Sequence, residues 1–127
     1  MTRPRNPGEL EAIGAAAELS VAPQRPDGTL RPCTMIWVVR IGDDVYIRSY
    51  RGPSGSWYRA AVRAGAGRIR AGGIERDVSF EQADAIEPAR IDDAYRAKYG
   101  RSPYAEAMLS ADAASTTLRL IPLEPAS

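Results

Sequence analysis

Arg48, Ser49 and Arg51 fall within four residues of one another, just ahead of Gly52-Pro53-Ser54-Gly55 and Ser56-Trp57. Guanidinium groups, a hydroxyl and the open backbone N–H groups of a helix start are the donors that hold a phosphate or another anion. Arg59 stands close enough along the chain to join them. The competing reading is a set of solvated arginines on an exposed rim. Trp37, Tyr50, Trp57 and Tyr58 are the flat side chains that could wall a planar ring system. The same residue types also build cores and subunit interfaces, so both readings stand for them. Tyr58 and Tyr104 are the candidate proton donors. Tyr95 and Tyr99 follow Ile91 at spacings of four, the pattern of a helical packing stripe.

Tyrosine enters this list by exclusion. The 127 residues include no histidine and one cysteine, Cys33. Ser–His and Cys–His pairs, a zinc site of Cys/His type and an internal disulfide are therefore ruled out, and no metal site is expected. Seventeen basic and sixteen acidic residues leave a formal charge of +1. Such balance gives no global field for nucleic acid or an anionic membrane, so any anion site must come from local clustering. Residues 1–7 lack the apolar core of a signal peptide, and no apolar run reaches the roughly 18 residues of a span, so a cytoplasmic location is expected. The length suits one domain over residues 1–127, with residues 1–6 expected to be flexible.

The elements that must position these residues read as follows. A first helix runs from Pro7 to about Ala16, and a strand covers Glu18–Ala22. Asp27-Gly28 marks a turn. Thr29–Arg40 reads as one strand whose centre, Met35–Val39, is apolar at both parities, as a strand covered on both faces would be, for example by a partner subunit. Cys33, just before it, is expected to be an inert core thiol. Val45–Tyr50 returns with Val45, Ile47 and Ser49 on one face and Tyr46, Arg48 and Tyr50 on the other. Ser56 is the expected N-cap of a helix over Trp57–Ala64, closed by Gly65.

Gly72-Gly73 predicts a tight hairpin that sets Ala71 against Ile74, Arg70 against Glu75, Ile69 against Arg76 and Arg68 against Asp77. Arg76 then falls on the core side, where it needs a carboxylate or must snorkel to the edge. Asp43-Asp44 lies in a turn and Asp92-Asp93 early in a helix, positions that require no catalytic role. Helices over Pro88–Tyr99 and from Ser102-Pro103 to about Leu109 precede a last strand, Thr116–Leu123, ended by Pro122 and Pro125. Six strands joined by short turns predict a mainly β, α+β protein built on a six-stranded antiparallel split β-barrel with short helices.

The runs Thr34–Arg40, Val45–Ser49, Trp57–Ala60, Arg68–Val78 and Ala94–Gly100, in that order, resemble the DUF2255 family over about Leu10 to Pro122. That family is in turn similar to the deazaflavin-dependent, nitroreductase-like proteins of the split-barrel superfamily. There, a strand ending in Ser leads through a Gly loop to a helix opening with Trp-Tyr, the places taken here by Ser49, Gly52, Trp57 and Tyr58.

The resemblance implies a homodimer that binds FMN or the deazaflavin F420 and acts as an oxidoreductase on a small-molecule substrate. It places Thr34, Arg48, Ser49 and Arg51 along the cofactor groove and Arg25 and Arg31 near its mouth; on that reading Trp37 and Trp57, from the aromatic set above, form the platform for the ring. Arg59-Ala60 stands where Asn-Leu is usual, and Gln24–Gly28 only loosely echoes the phosphate loop. Two alternatives accompany this implication. One is a cofactor-free split barrel that binds a small molecule or performs acid/base or cyclisation chemistry. The other is a purely structural dimer or a partner-binding module.

Overall fold

The computed structural model describes residues 7–83 and 88–123. The expected fraying of residues 1–6 and the stop at Pro125 lie outside them. The chain runs α1 (Pro7–Ala15), β1 (Leu19–Pro23), β2 (Thr34–Ile36), β3 (Val39–Ile41), β4 (Asp44–Ile47), a 3₁₀ turn (Gly52–Ser54), α2 (Ser56–Ala64), β5 (Ala66–Ala71), β6 (Ile74–Gln82), α3 (Pro88–Tyr99), α4 (Ala105–Met108), α5 (Ala111–Ala114) and β7 (Leu118–Pro122). The strands form one curled antiparallel sheet in the order β2-β1-β5-β6-β7-β4-β3.

The sheet therefore has seven strands, not six. The expected strand Thr29–Arg40 is two pieces, β2 on β1 and β3 on β4, at opposite edges of the sheet. Thr29–Cys33 contributes only an isolated bridge, Gln24 with Leu30. The chain changes pairing partners at Trp37-Val38, so the sheet's two edges are joined by covalent chain rather than by a ladder, and the expected closed hydrogen-bonded cylinder is replaced by a curled, open one.

The both-parity apolar run has a physical cause. Ile36 and Val38 pack in the core inside the curl, with Val21, Val45, Ile47, Ile69 and Leu118. Trp37 and Val39 pack in a second core, outside it, with Tyr46, Ile91, Tyr95 and Met108. α3 and α4 of the same chain cover the outer face, the role expected of a partner subunit. The same alternation splits Val45 and Ile47 from Tyr46. Cys33 is exposed, contrary to its expected burial, as are Thr34 and Met35 after it in the edge strand β2.

The β5–β6 register is the predicted one. Arg68 Nε donates to Asp77 Oδ1 at 2.9 Å and Arg70 Nε to Glu75 Oε2 at 3.0 Å on the exposed face. Arg76 finds its carboxylate: Nε lies 3.1 Å from Oε1 of the buried Glu9 of α1, while the Arg76 side chain stays partly exposed. The turn needs its glycines. Gly72 has φ +58°, and a Cβ there would sit 2.4 Å from the Ala12 carbonyl oxygen. α2 ends on Gly65 in the left-handed region, as expected, but begins at Ser56 with Gly55 as N-cap and no side-chain cap. A further helix, α5, is capped by Ser110, whose Oγ accepts from Ala113 N–H. No helix among the described residues is long and apolar enough to cross a membrane.

Candidate functional site

β4 ends at Ile47, and the chain is then held to the connection between α5 and β7. Ser49 N–H donates to Thr116 Oγ1 at 2.8 Å, and that hydroxyl donates to the Ala113 carbonyl at 2.6 Å. Ser49 C=O accepts from Gly52 N–H at 3.0 Å and starts the 3₁₀ turn. Gly52 adopts φ +68° and packs against Asp112; Gly55 lies so close to Ser49 that a Cβ there would come 2.3 Å from Ser49 Oγ. This tight turn delivers the uncapped start of α2 to one end of a cavity of about 520 Å³. That volume suits a small ligand.

The cavity brings together much of the proposed set. Thr34, Trp37, Arg48, Ser49, Arg51 and Trp57 all line it, and so does the candidate Tyr104. Its polar lining includes Ser49, Arg51, Ser54 and Ser56, and its apolar lining Ile36, Trp37, Trp57 and Met108. Tyr50 and Tyr104 meet edge to face at 5.9 Å, both more than half exposed, and line the same cavity. The N–H groups of the first turn of α2 have no side-chain cap and carry the positive end of the helix dipole.

Other expected residues lie elsewhere. Tyr58 packs on the inner core with its ring edge to face against that of Trp57 at 6.1 Å, and unlike Trp57 it does not line the cavity. Arg59, the next residue, is exposed. Arg25 serves its own turn: Nη1 donates to the Leu30 carbonyl at 2.9 Å. Arg31 is half-buried and Gly52 is buried in the turn, and neither lines the cavity.

Arg48 is present but committed. Its side chain is fully buried. Nη1 pairs with Asp92 Oδ1 at 2.6 Å and donates to the Met108 carbonyl at 2.9 Å, and Nε donates to Thr117 Oγ1 at 2.9 Å. The guanidinium carbon lies 5.3 Å from the centroid of the buried Tyr95 ring. Burial pushes the Tyr95 hydroxyl well above the usual tyrosine range. Arg48 Nη2 has no partner among the described residues. Asp92, which the sequence marks only as a favourable early-helix charge, is thus the counter-ion of a buried arginine.

Sequence reasoning missed Met35, Ile36 and Met108 as cavity lining, whereas it had read the Gly52–Gly55 loop and the start of α2 as anion donors. The Gly-Ser loop carried a signal, since it marks a helix start; Met108 carried none, because it reaches the cavity from a separate element.

No curated protein sequence matches the chain. Solved structures share its fold. A FAD- and haem-binding protein from Mycobacterium smegmatis superposes with a TM-score of 0.55 at 18% identity over 94% of this chain, which spans 66% of that protein. An F420 reductase gives 0.50 at 17% identity, over 91% of this chain and 92% of that one. A candidate 5-nitroimidazole antibiotic resistance protein from Bacteroides thetaiotaomicron gives 0.55 at 14% identity, over 98% and 83%. At such identities the likeness is one of fold. The sequence pattern of an uncharacterized bacterial family, DUF2255, matches residues 9–120, and the chain belongs to that family.

Proposed function

We propose that the chain binds a flavin or the deazaflavin F420 in this cavity and serves as an oxidoreductase of the split-barrel type, working as a homodimer. The observation that carries the reading is the meeting, in one cavity, of an apolar aromatic wall with an uncapped helix start, Ser49 and Arg51. The folds of a FAD- and haem-binding protein and of an F420 reductase support it.

The residues present fit such a group in kind. Trp57, Trp37 and Ile36 offer flat apolar surface to a ring. Arg51 and the N–H groups of Ser56 and Trp57 are donors for a phosphate. Ser49 adds a hydroxyl. Arg48 supports the floor from below, with its charge already balanced by Asp92. The bound group would supply the hydride chemistry, and the chain would supply orientation and exclusion of water. Tyr104, at the cavity and exposed, is positioned to give a proton to a second reactant; Tyr58 is not. The exposed thiol of Cys33 suits a reducing cytoplasm.

Titration of the purified protein with FMN, FAD and F420, followed by absorbance and tryptophan emission, tests the reading. A dissociation constant in the micromolar range for one of them is expected. Absence of binding to all three at tens of micromolar, roughly −6 kcal/mol or weaker, rejects it. A second reading, a cofactor-free small-molecule site, is favoured by one observation. With Arg48 tied to Asp92, Arg51 is the one arginine of the lining that is not in an ion pair among the described residues.

A further inference from the structure

Trp37 and Val38 connect the two edges of the sheet and belong to neither ladder. Val38 is fully buried, so its N–H and C=O need partners that no neighbouring strand supplies. The last turn of α3 supplies them. Tyr99 Oη accepts from Val38 N–H at 3.1 Å and lies 2.9 Å from the Ala17 carbonyl oxygen and 3.2 Å from that of Val38, so that its proton can go to either. Lys98 Nζ donates to the Val38 carbonyl at 2.7 Å. The Tyr99 ring lies flat on Trp37, with centroids 4.1 Å apart and planes within 1°. One face of the indole is thus taken by Tyr99, while Trp37 also lines the cavity. Neither Lys98 nor Tyr99 lines it.

We propose that Tyr99, assisted by Lys98, is the positioning residue of the cavity: its hydroxyl fixes the crossover peptide and its ring fixes the plane of Trp37, the wall presented to a ligand. The consequence for ligand affinity rests on the flavin or deazaflavin reading; the consequence for Trp37 does not. The two functions of the side chain separate by substitution. Tyr99→Phe keeps the stacked ring and loses the hydroxyl, whereas Tyr99→Leu loses both. Ile91→Ala is the control, since Ile91 is buried in the same outer core without bonding Val38 or stacking on Trp37.

Trp37 and Trp57 are the two tryptophans of the chain, so a Trp57→Phe background makes Trp37 the sole reporter. In that background, Tyr99→Leu is expected to increase acrylamide quenching of Trp37 several-fold and to diminish its near-ultraviolet circular dichroism. Tyr99→Phe should leave quenching close to that of the parent. With Trp57 present, Tyr99→Leu should weaken FMN or F420 binding about tenfold, Tyr99→Phe less, and Ile91→Ala less than about twofold even when its urea midpoint falls as far. Unchanged Trp37 signals in Tyr99→Leu overturn the proposal, as does Ile91→Ala reproducing them at a matched loss of stability. If the parent binds neither compound, the cofactor reading fails, and Trp37 quenching alone still decides whether Tyr99 holds the wall.

Discussion

Replacing Asp92 by Asn keeps the outline of the side chain and removes its charge. Arg48 would then stand fully buried with only Thr117 Oγ1, the Met108 carbonyl and the new amide oxygen as neutral acceptors. An arginine keeps its proton at any working pH, so the charge cannot be shed. Opposite charges whose centres lie about 4 Å apart attract by about 4 kcal/mol at an effective dielectric constant near 20. The Asp92 side chain is 23% exposed, which admits solvent and trims that figure. The expected cost is about 3 kcal/mol, at the lower end of the range for removing one partner of a buried pair. For a chain of this length it lowers Tm by roughly 10–15 °C. Urea unfolding followed by circular dichroism and tryptophan emission measures it. Joint replacement of Arg48 by Met and Asp92 by Leu should recover much of the loss, because no orphaned charge remains. If Asp92→Asn costs less than about 1 kcal/mol, the Arg48 charge is balanced by something other than Asp92, and its assignment to the fold rather than to the ligand is wrong.

Gly55→Ala should destabilise by about 1–3 kcal/mol through the clash with Ser49 Oγ, and adding Ser49→Ala should relieve it, which a double-mutant cycle in urea would show. Arg51→Ala, on an exposed side chain, should leave Tm unchanged while weakening FMN or F420 binding about tenfold in a titration; equal binding by parent and variant would remove Arg51 from the site. Burial holds Lys98 down at about 8, against 10.5 for an ordinary lysine, so between those values the unfolded chain binds more protons than the folded one. Stability relative to Lys98→Met should therefore rise with pH from about 8 to about 10.5 and stay flat below 8. A difference that stays flat or falls across that window would mean that Lys98 is not held at a depressed value.

The hairpin at Gly72-Gly73 was fully legible in sequence because a two-residue glycine turn leaves a single register, and the charged pairs across it agree. The split of Val45 and Ile47 from Tyr46 was legible from alternation alone. The break at Trp37-Val38 was not, since alternation continues straight through it and only the pairing partner changes. The cavity was half legible. Residues local to the Ser49–Trp57 turn could be read from their order, whereas Met108 reaches the lining from α4 and Asp92 reaches Arg48 from α3, and nothing in the linear order announces either approach. Arg48 shows the limit most clearly. Its residue type suggested an anion clamp, and its burial beside Asp92 made it part of the frame.

The two-residue passage between β2 and β3 carries a cost for evolution as well as for folding. Its length is tied to both margins of the sheet at once. Adding or deleting one residue there would turn the side chains of β2 or of β3 to the opposite face, taking Ile36 out of the inner core or Val39 and Ile41 out of the outer one. Drift in this lineage should therefore admit changes of residue type at that passage far more readily than changes in its length.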